Sequence, residues 1–170
     1  MKTLQEIIIS RRSIRKYTSA AVTQTQIDNL MQAAMYAPSA RNEQPWHFIV
    51  VSERTMLNKI MDAHPYAKML KDAPLAIIVC ADENIEKTEG YWVQDCSAAT
   101  ENILLAAAAM DLGSVWLGVY PREERISAIK NLFNLPDSIH PVSIIAIGHP
   151  DEQKTLPERY LKERIHINQW

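Results

Sequence analysis

The chain has 170 residues, of which 47% are hydrophobic and 22% charged, with a formal net charge of −2. That composition is ordinary for a globular domain, and the near-neutral charge excludes a global attraction to nucleic acid or to an anionic membrane surface. No run of 18 apolar residues occurs, which excludes a membrane-spanning helix on length, and the two cysteines, Cys80 and Cys96, show none of the Cys/His spacing of a zinc site.

The chain, 1–170, reads as one domain without repeats or linkers. Its opening, MKTLQEIIISRRSIRKY, has three consecutive isoleucines before a basic cluster. That is too short for a signal-peptide core, and a cytoplasmic location is expected. Residues 3–9 are predicted as a short helix. Thr23 and Gln26 have the spacing of a capping box and open a helix through about Tyr36. Its Ile27, Leu30, Met31, Ala34 and Met35 recur at helical spacing, and Pro38 stops it. HFIVVS (47–52), rich in branched residues, is a predicted strand. Residues 53–63 form a further helix, with a short one between Asp62 and Asp72. PLAIIVCA (74–81) is a continuous apolar run, as expected of a strand buried on both faces. Residues 91–112 form the longest predicted helix, with Gly113 as its stop. SVWLGVY (114–120) is a strand, Arg122 to Phe133 a helix, and PVSIIAIG (141–148) the fourth strand. The tail from Asp151 to Trp170 is polar and has no period. It ends on a large side chain that needs a surface, so it is expected to wrap its own domain or to reach a partner. Ala98, Ala99 and Ala106 to Ala109 allow close approach of another backbone, either the chain's own sheet or a dimer partner.

Four segments carry candidate chemistry. Arg11, Arg12, Ser13 and Arg15 place three guanidiniums and a hydroxyl within five residues, and arginine forks make charge-assisted contacts to phosphate oxygens. In an extended segment Arg11, Ser13 and Arg15 share a face, so one phosphate is expected to meet all three. The alternative is a solvated basic turn, and no aromatic-rich basic surface follows that would suit nucleic acid. The second segment, Ala37 to Trp46, contains Pro38, Ser39, Ala40 and Asn42 between a helix and a strand. Such a position often carries ligands, and stiff backbone with few polar groups suits a flat heteroaromatic; a rigid connector is the alternative. Gly118, in or at the end of a strand, marks a bulge or the close approach of a ligand or backbone. The tail's Arg159, Lys162, Arg164 and His166 complete a phosphate site or remain solvated. His47, His64, His140, His149 and His166 are scattered and read as structural or surface groups. Dinucleotide, P-loop, serine-hydrolase and HExxH motifs are absent.

Taken in order, RRSIRKY, APSARNEQPWHFIVV, the Ala-rich helix, GSVWLGVYP and IAIGHP resemble the nitroreductase family of flavoproteins over nearly the whole chain. The resemblance implies an α+β fold, a three-layer α/β/α sandwich with a mixed or antiparallel central sheet, and an intertwined homodimer with FMN at its interface. It implies that Arg11, Arg12, Ser13 and Arg15 hold the FMN phosphate and the neighbouring polar edge. Pro38, Ser39, Ala40 and Asn42 would form the loop that approaches the flavin, usually from the partner subunit. Leu117 and Gly118 would face flavin N5. Arg159 would meet the phosphate, with Lys162 and Arg164 as alternatives, and Lys68 and Lys71 fall where longer members place further contacts. NADH or NADPH is the implied electron donor, with ping-pong transfer to a nitroaromatic, quinone or similar small electrophile and no protein nucleophile. The chain departs from longer members by lacking much of their lid insertion and by carrying Leu117 where an acidic residue is often found. A flavin-dependent dehalogenase or other non-nitro reductase, and a non-catalytic flavin carrier or sensor, are the alternative readings.

Overall fold

Thr3 and Glu6 close a reciprocal capping box at the start of α1 (Leu4–Ser10), and Thr23 and Gln26 do the same for α2 (Gln24–Met35), in the computed structural model, which describes residues 2–170. Each box satisfies backbone N–H groups that the first helical turn leaves open. The chain continues through β1 (Trp46–Val51), α3 (Arg54–Ala63), β2 (Leu75–Asp82), α4 (Trp92–Ala109), β3 (Gly113–Gly118), α5 (Glu123–Phe133) and β4 (Ile139–Gly148). Single 3-10 turns occupy Ala40–Asn42, Lys68–Lys71 and Lys162–Arg164. The short helix expected between Asp62 and Asp72 is thus only the 3-10 turn Lys68–Lys71.

The four strands are ordered β1-β2-β4-β3 and every neighbouring pair is antiparallel. A single parallel bridge ties Ser13 to Ser114. Side chains alternate across the sheet. On one face Leu75, Ile77, Val79, Ile145 and Ile147 pack against Leu30 and Ala34 of α2 and Cys96, Ala99, Ile103 and Ala107 of α4. On the other, Ala76, Ile78, Cys80, Ile144 and Ala146 pack against Leu57 and Ile60 of α3 and Ile126 and Ile129 of α5. The result is the expected three-layer α/β/α sandwich. Helices on both faces explain why β2 reads as an unbroken apolar run although the sheet is antiparallel.

Two expectations are corrected. Gly113 is not the stop of α4. The helix ends at Ala109, the left-handed step falls on Asp111 at φ 56°, and Gly113 opens β3. A Cβ at Gly113 would lie 2.7 Å from Ile14 Cγ2, so close packing against Ile14 is what requires glycine there. Met35 is exposed rather than part of the α2 core, because the inward face of α2 is spent at Leu30 and Ala34.

The two ends of the chain contrast with this core. Helix α1 buries no residue and leaves Leu4, Ile8 and Ile9 exposed. The tail leaves Leu156, Tyr160, Ile165 and Ile167 exposed and Trp170 100% exposed. Of the two expected arrangements, the tail therefore does not wrap its own domain. Among the described residues, no helix is long and apolar enough to cross a membrane.

Candidate functional site

Strand β3 lies at the edge of the sheet, and hydrogen-bond alternation decides which of its peptide groups are spoken for. Val119 N–H donates to Val142 O across the β3–β4 ladder. Alternate residues along an antiparallel strand bond to the same neighbour, so Val115 and Leu117 face β4, while Ser114, Trp116 and Gly118 turn their N–H and C=O outward. Ser114 O accepts from Ile14 N–H at 2.9 Å, consistent with that parity. Gly118 O accepts from Arg125 Nη1 at 2.8 Å and lies 3.0 Å from His64 Nε2. The outward N–H of Gly118 is left facing a hollow.

That hollow, of about 590 Å³, is lined by Arg15, His64, Tyr66, Lys68, Trp116 and Gly118, with Pro65, Met69 and Leu117. It combines flat apolar walls with two cations. A Cβ built on Gly118 meets no atom within 4 Å, unlike one on Gly113 or Gly148. The chain's own packing therefore does not demand a glycine at 118, whereas a ligand plane pressed against the strand end would. His64 is buried, and that burial holds its imidazole pKa below the ordinary value. A larger hollow, of about 730 Å³, lies between α5 and the start of β4, with Trp92, Tyr120, Lys130 and His140 in its wall. Its lysine is already engaged with Asp137 O at 2.8 Å.

The basic segment divides between two places. Arg15 lines the β3 hollow, whereas Arg11 and Arg12 line a smaller one, of about 210 Å³, with Ser10, Gly113, Ser114 and Glu152. Ser13 is half-buried on the bridge to Ser114. The expected common face of Arg11, Ser13 and Arg15 is thus not a shared cavity within one chain. Arg11 Nε lies 3.5 Å from Glu101. Arg12 donates to the carbonyls of Arg11 and Thr155. Among the described residues no carboxylate lies within ion-pair distance of Arg12, and burial, then the charges of Arg159 and Arg11, lower its pKa. An anion would relieve that arrangement. Arg159 is exposed and approaches Arg12 closely enough to repel it, while Lys162 and Arg164 sit exposed in the last 3-10 turn. Lys68 lines the β3 hollow and Lys71 does not.

The loop after α2 is held tightly. Ala40 N–H donates to Asp95 Oδ1 at 3.0 Å, and Gln44 N–H to Ser39 Oγ at 3.0 Å. Burial raises the Asp95 pKa, against the opposing hydrogen bond from Ala40. Glu43 accepts from Lys87 N–H and Thr88 Oγ1, at 2.8 and 3.0 Å. Arg41, Asn42 and Gln44 all have positive φ, at 49°, 57° and 52°. Three non-glycine residues in that region within four positions cost backbone energy that the surroundings must hold in place. Pro38, Ser39, Ala40 and Asn42 do not line the hollow of Arg15 and Gly118 in the same chain.

The sequence reads His64 as a structural or surface histidine and carries no signal for Tyr66, Asp95 or Arg125. Arg125 and His64 meet Gly118 from 7 and 54 positions away, so no local motif signals them. Cys80 and Cys96 are both free and buried, and burial pushes both thiols up, Cys80 to about 12.

The family model described as "Nitroreductase family" matches residues 8–64 and 59–149. A protein of Methanothermobacter thermautotrophicus, provisionally named NADH dehydrogenase/NAD(P)H nitroreductase, is 52% identical over 97% of this chain and 86% of its own. An FMN reductase [NAD(P)H] of Bacillus subtilis is 27% identical over 98% of this chain and 73% of its own. A crystal structure from Desulfovibrio desulfuricans, of a protein provisionally named a nitroreductase and solved in complex with FMN, superposes with a TM-score of 0.86 at 30% identity, covering 100% of this chain and 99% of that one.

Proposed function

The chain belongs to the nitroreductase family, and we propose that it is an NAD(P)H-dependent FMN oxidoreductase, working as a homodimer, that reduces flat electrophiles such as nitroaromatics and quinones. The observation that carries this reading is the free end of β3. There an outward N–H at Gly118, open space where a Cβ would stand, and the cations Arg15 and Lys68 surround one hollow. The donor set fits FMN, whose flat ring system has polar edges and whose phosphate is anionic. When bound, FMN supplies the redox chemistry, taking a hydride from NADH or NADPH and delivering electrons to the acceptor.

The chain's own residues bind and orient. Arg12, with Arg11, Ser13 and Arg159 beside it, holds the phosphate through charge-assisted hydrogen bonds; Arg12 leads because Arg11 is already paired with Glu101. Arg15 and Lys68 stabilise negative charge at the ring's polar edge, where a low local dielectric strengthens their effect. Gly118 N–H, beside Leu117, donates toward N5. A second copy of the chain supplies the loop of Pro38, Ser39, Ala40 and Asn42, which the strained φ angles and the Asp95 anchor hold ready. The exposed apolar residues of α1 and the tail then find cover at the dimer interface, since apolar patches of this extent mark interaction surfaces. The connection from β2 to α4 is only residues 83–91, too short for a large lid, which favours a broad range of acceptors entering by the donor's route in a ping-pong cycle.

The test is an absorbance spectrum after loading with FMN and gel filtration. A yellow dimer whose flavin bands bleach under NADH or NADPH, and recover with a nitroaromatic or quinone, supports the reading. A colourless protein unable to retain FMN overturns it.

A further inference from the structure

The carbonyl of Gly118 receives two donors at once. Arg125 Nη1 lies 2.8 Å from it and His64 Nε2 3.0 Å. The histidine's other nitrogen, Nδ1, accepts from Tyr66 N–H at 3.3 Å. Those contacts together require the neutral tautomer with its proton on Nε2, and burial disfavours the charged ring. Arg125 approaches along α5, lies over the Tyr66 ring at 5.1 Å, and has its Nε buried without a hydrogen-bond partner. Among the described residues no carboxylate lies within ion-pair distance of it. A cation without a counter-charge therefore stands directly behind the wall of the hollow.

A plain tie between helix and strand would explain one of these bonds but not their concentration. Glycine is conformationally permissive, and Gly118 has no side chain packed against a neighbour to restrain it. Beyond it the ladder is held by Val119 and Tyr120 N–H, which share the single acceptor Val142 O. Two donors on the Gly118 carbonyl, with Val119 N–H on Val142 O, hold the peptide between Gly118 and Val119 from both sides and so anchor the strand end that carries the Gly118 N–H. A retained charge at partial burial also acts on anything bound in front of it.

Resting on the flavin reading above, we propose that Arg125 and His64 are positioning residues. They clamp the Gly118 carbonyl so that the strand end is preset for the flavin, and the unneutralised Arg125 favours the reduced, more electron-rich form of the bound cofactor. Neither residue needs to touch FMN for this to hold.

The experiment is a spectroelectrochemical titration of FMN bound to the full chain, with the dissociation constant of oxidised FMN measured alongside. Arg125→Met is expected to lower the ratio of reduced-over-oxidised affinity about tenfold, which for a two-electron couple moves the midpoint about 30 mV more negative. Arg125→Lys keeps the charge without the fork and is expected to recover at least half of that shift. His64→Leu keeps the charge and removes one donor. It is expected to weaken both redox forms about tenfold with the midpoint unmoved. A folded Arg125→Met protein with the wild-type midpoint overturns the inference. If that variant does not fold, a folded Arg125→Gln protein, which also lacks the charge, with the wild-type midpoint together with a His64→Leu protein of wild-type FMN affinity overturns it equally. A wild-type chain that retains no FMN overturns the parent reading as well, whereas a loaded wild type with unshifted variants overturns this inference alone.

Discussion

Strands β2 and β4 are covered on both faces, so that Ile77, Ile78, Ile144 and Ile145 have no exposed surface, whereas α1 and the tail beyond Asp151 bury nothing of their own. The two regions spend apolar residues differently. In the sheet, each isoleucine stabilises the chain that carries it. At the ends, Ile8, Ile167 and Trp170 contribute nothing to that core and gain their burial only from another surface. The proposed flavin site lies between the regimes, with one wall on the rigid sheet edge and its basic segment reaching toward the tail.

Substitutions that separate the regimes test this division. The largest effect is expected in the core. Ile77→Ala should cost about 2–5 kcal/mol in denaturant unfolding, with FMN bound per folded molecule unchanged; a loss within about 0.5 kcal/mol, the range of an ordinary surface change, would break the picture of a self-sufficient sandwich. Arg12→Ala should do the reverse. Loss of hydrogen bonds to a charged group, about 1.5–3 kcal/mol, weakens FMN binding by about 10- to 150-fold, read by fluorescence titration, while the melting temperature of the unloaded protein stays put. His64 belongs to both regimes and gives a pH signature. Burial depresses its folded-state pKa below 6.5, so the unfolded chain takes up the proton first. Stability should then fall as pH drops below about 6.5 toward the folded pKa, and His64→Gln should flatten that slope in thermal melts. The smallest effect on the isolated fold is expected at Ile8→Ser, within about 0.5 kcal/mol. A larger loss that grows on dilution would measure the partner that covers α1.

The parts of the fold that rest on local chemistry were legible in the sequence. Thr23 with Gln26 forms the capping box at the expected register, and the apolar run ending at Ala81 is buried almost throughout. The strands lie within a few residues of their predicted bounds. What escaped depends on contacts distant in sequence. Gly113 looks like a helix stop, and only the approach of Ile14 reveals its packing role. The alternation of Arg11, Ser13 and Arg15 predicts one shared face, yet Arg15 lines one hollow and Arg11 another. Arg125 carried no pattern at all, because its partner is a backbone carbonyl, and any residue type supplies one.

The outward-facing edge of β3 has a consequence for how the chain behaves in a crowded solution. An exposed strand edge is a template on which a foreign strand can add, and proteins that leave one open risk fibrillar assembly. Here Ile14 occupies the edge at Ser114, and His64 with Arg125 occupies it at Gly118. What remains open on the outward side, the Trp116 peptide groups and the Gly118 N–H, is too short a stretch to seed a growing sheet. The same contacts that frame a ligand hollow thus act as gatekeepers against aggregation, and substitutions that loosen them put colloidal stability at risk before they touch chemistry.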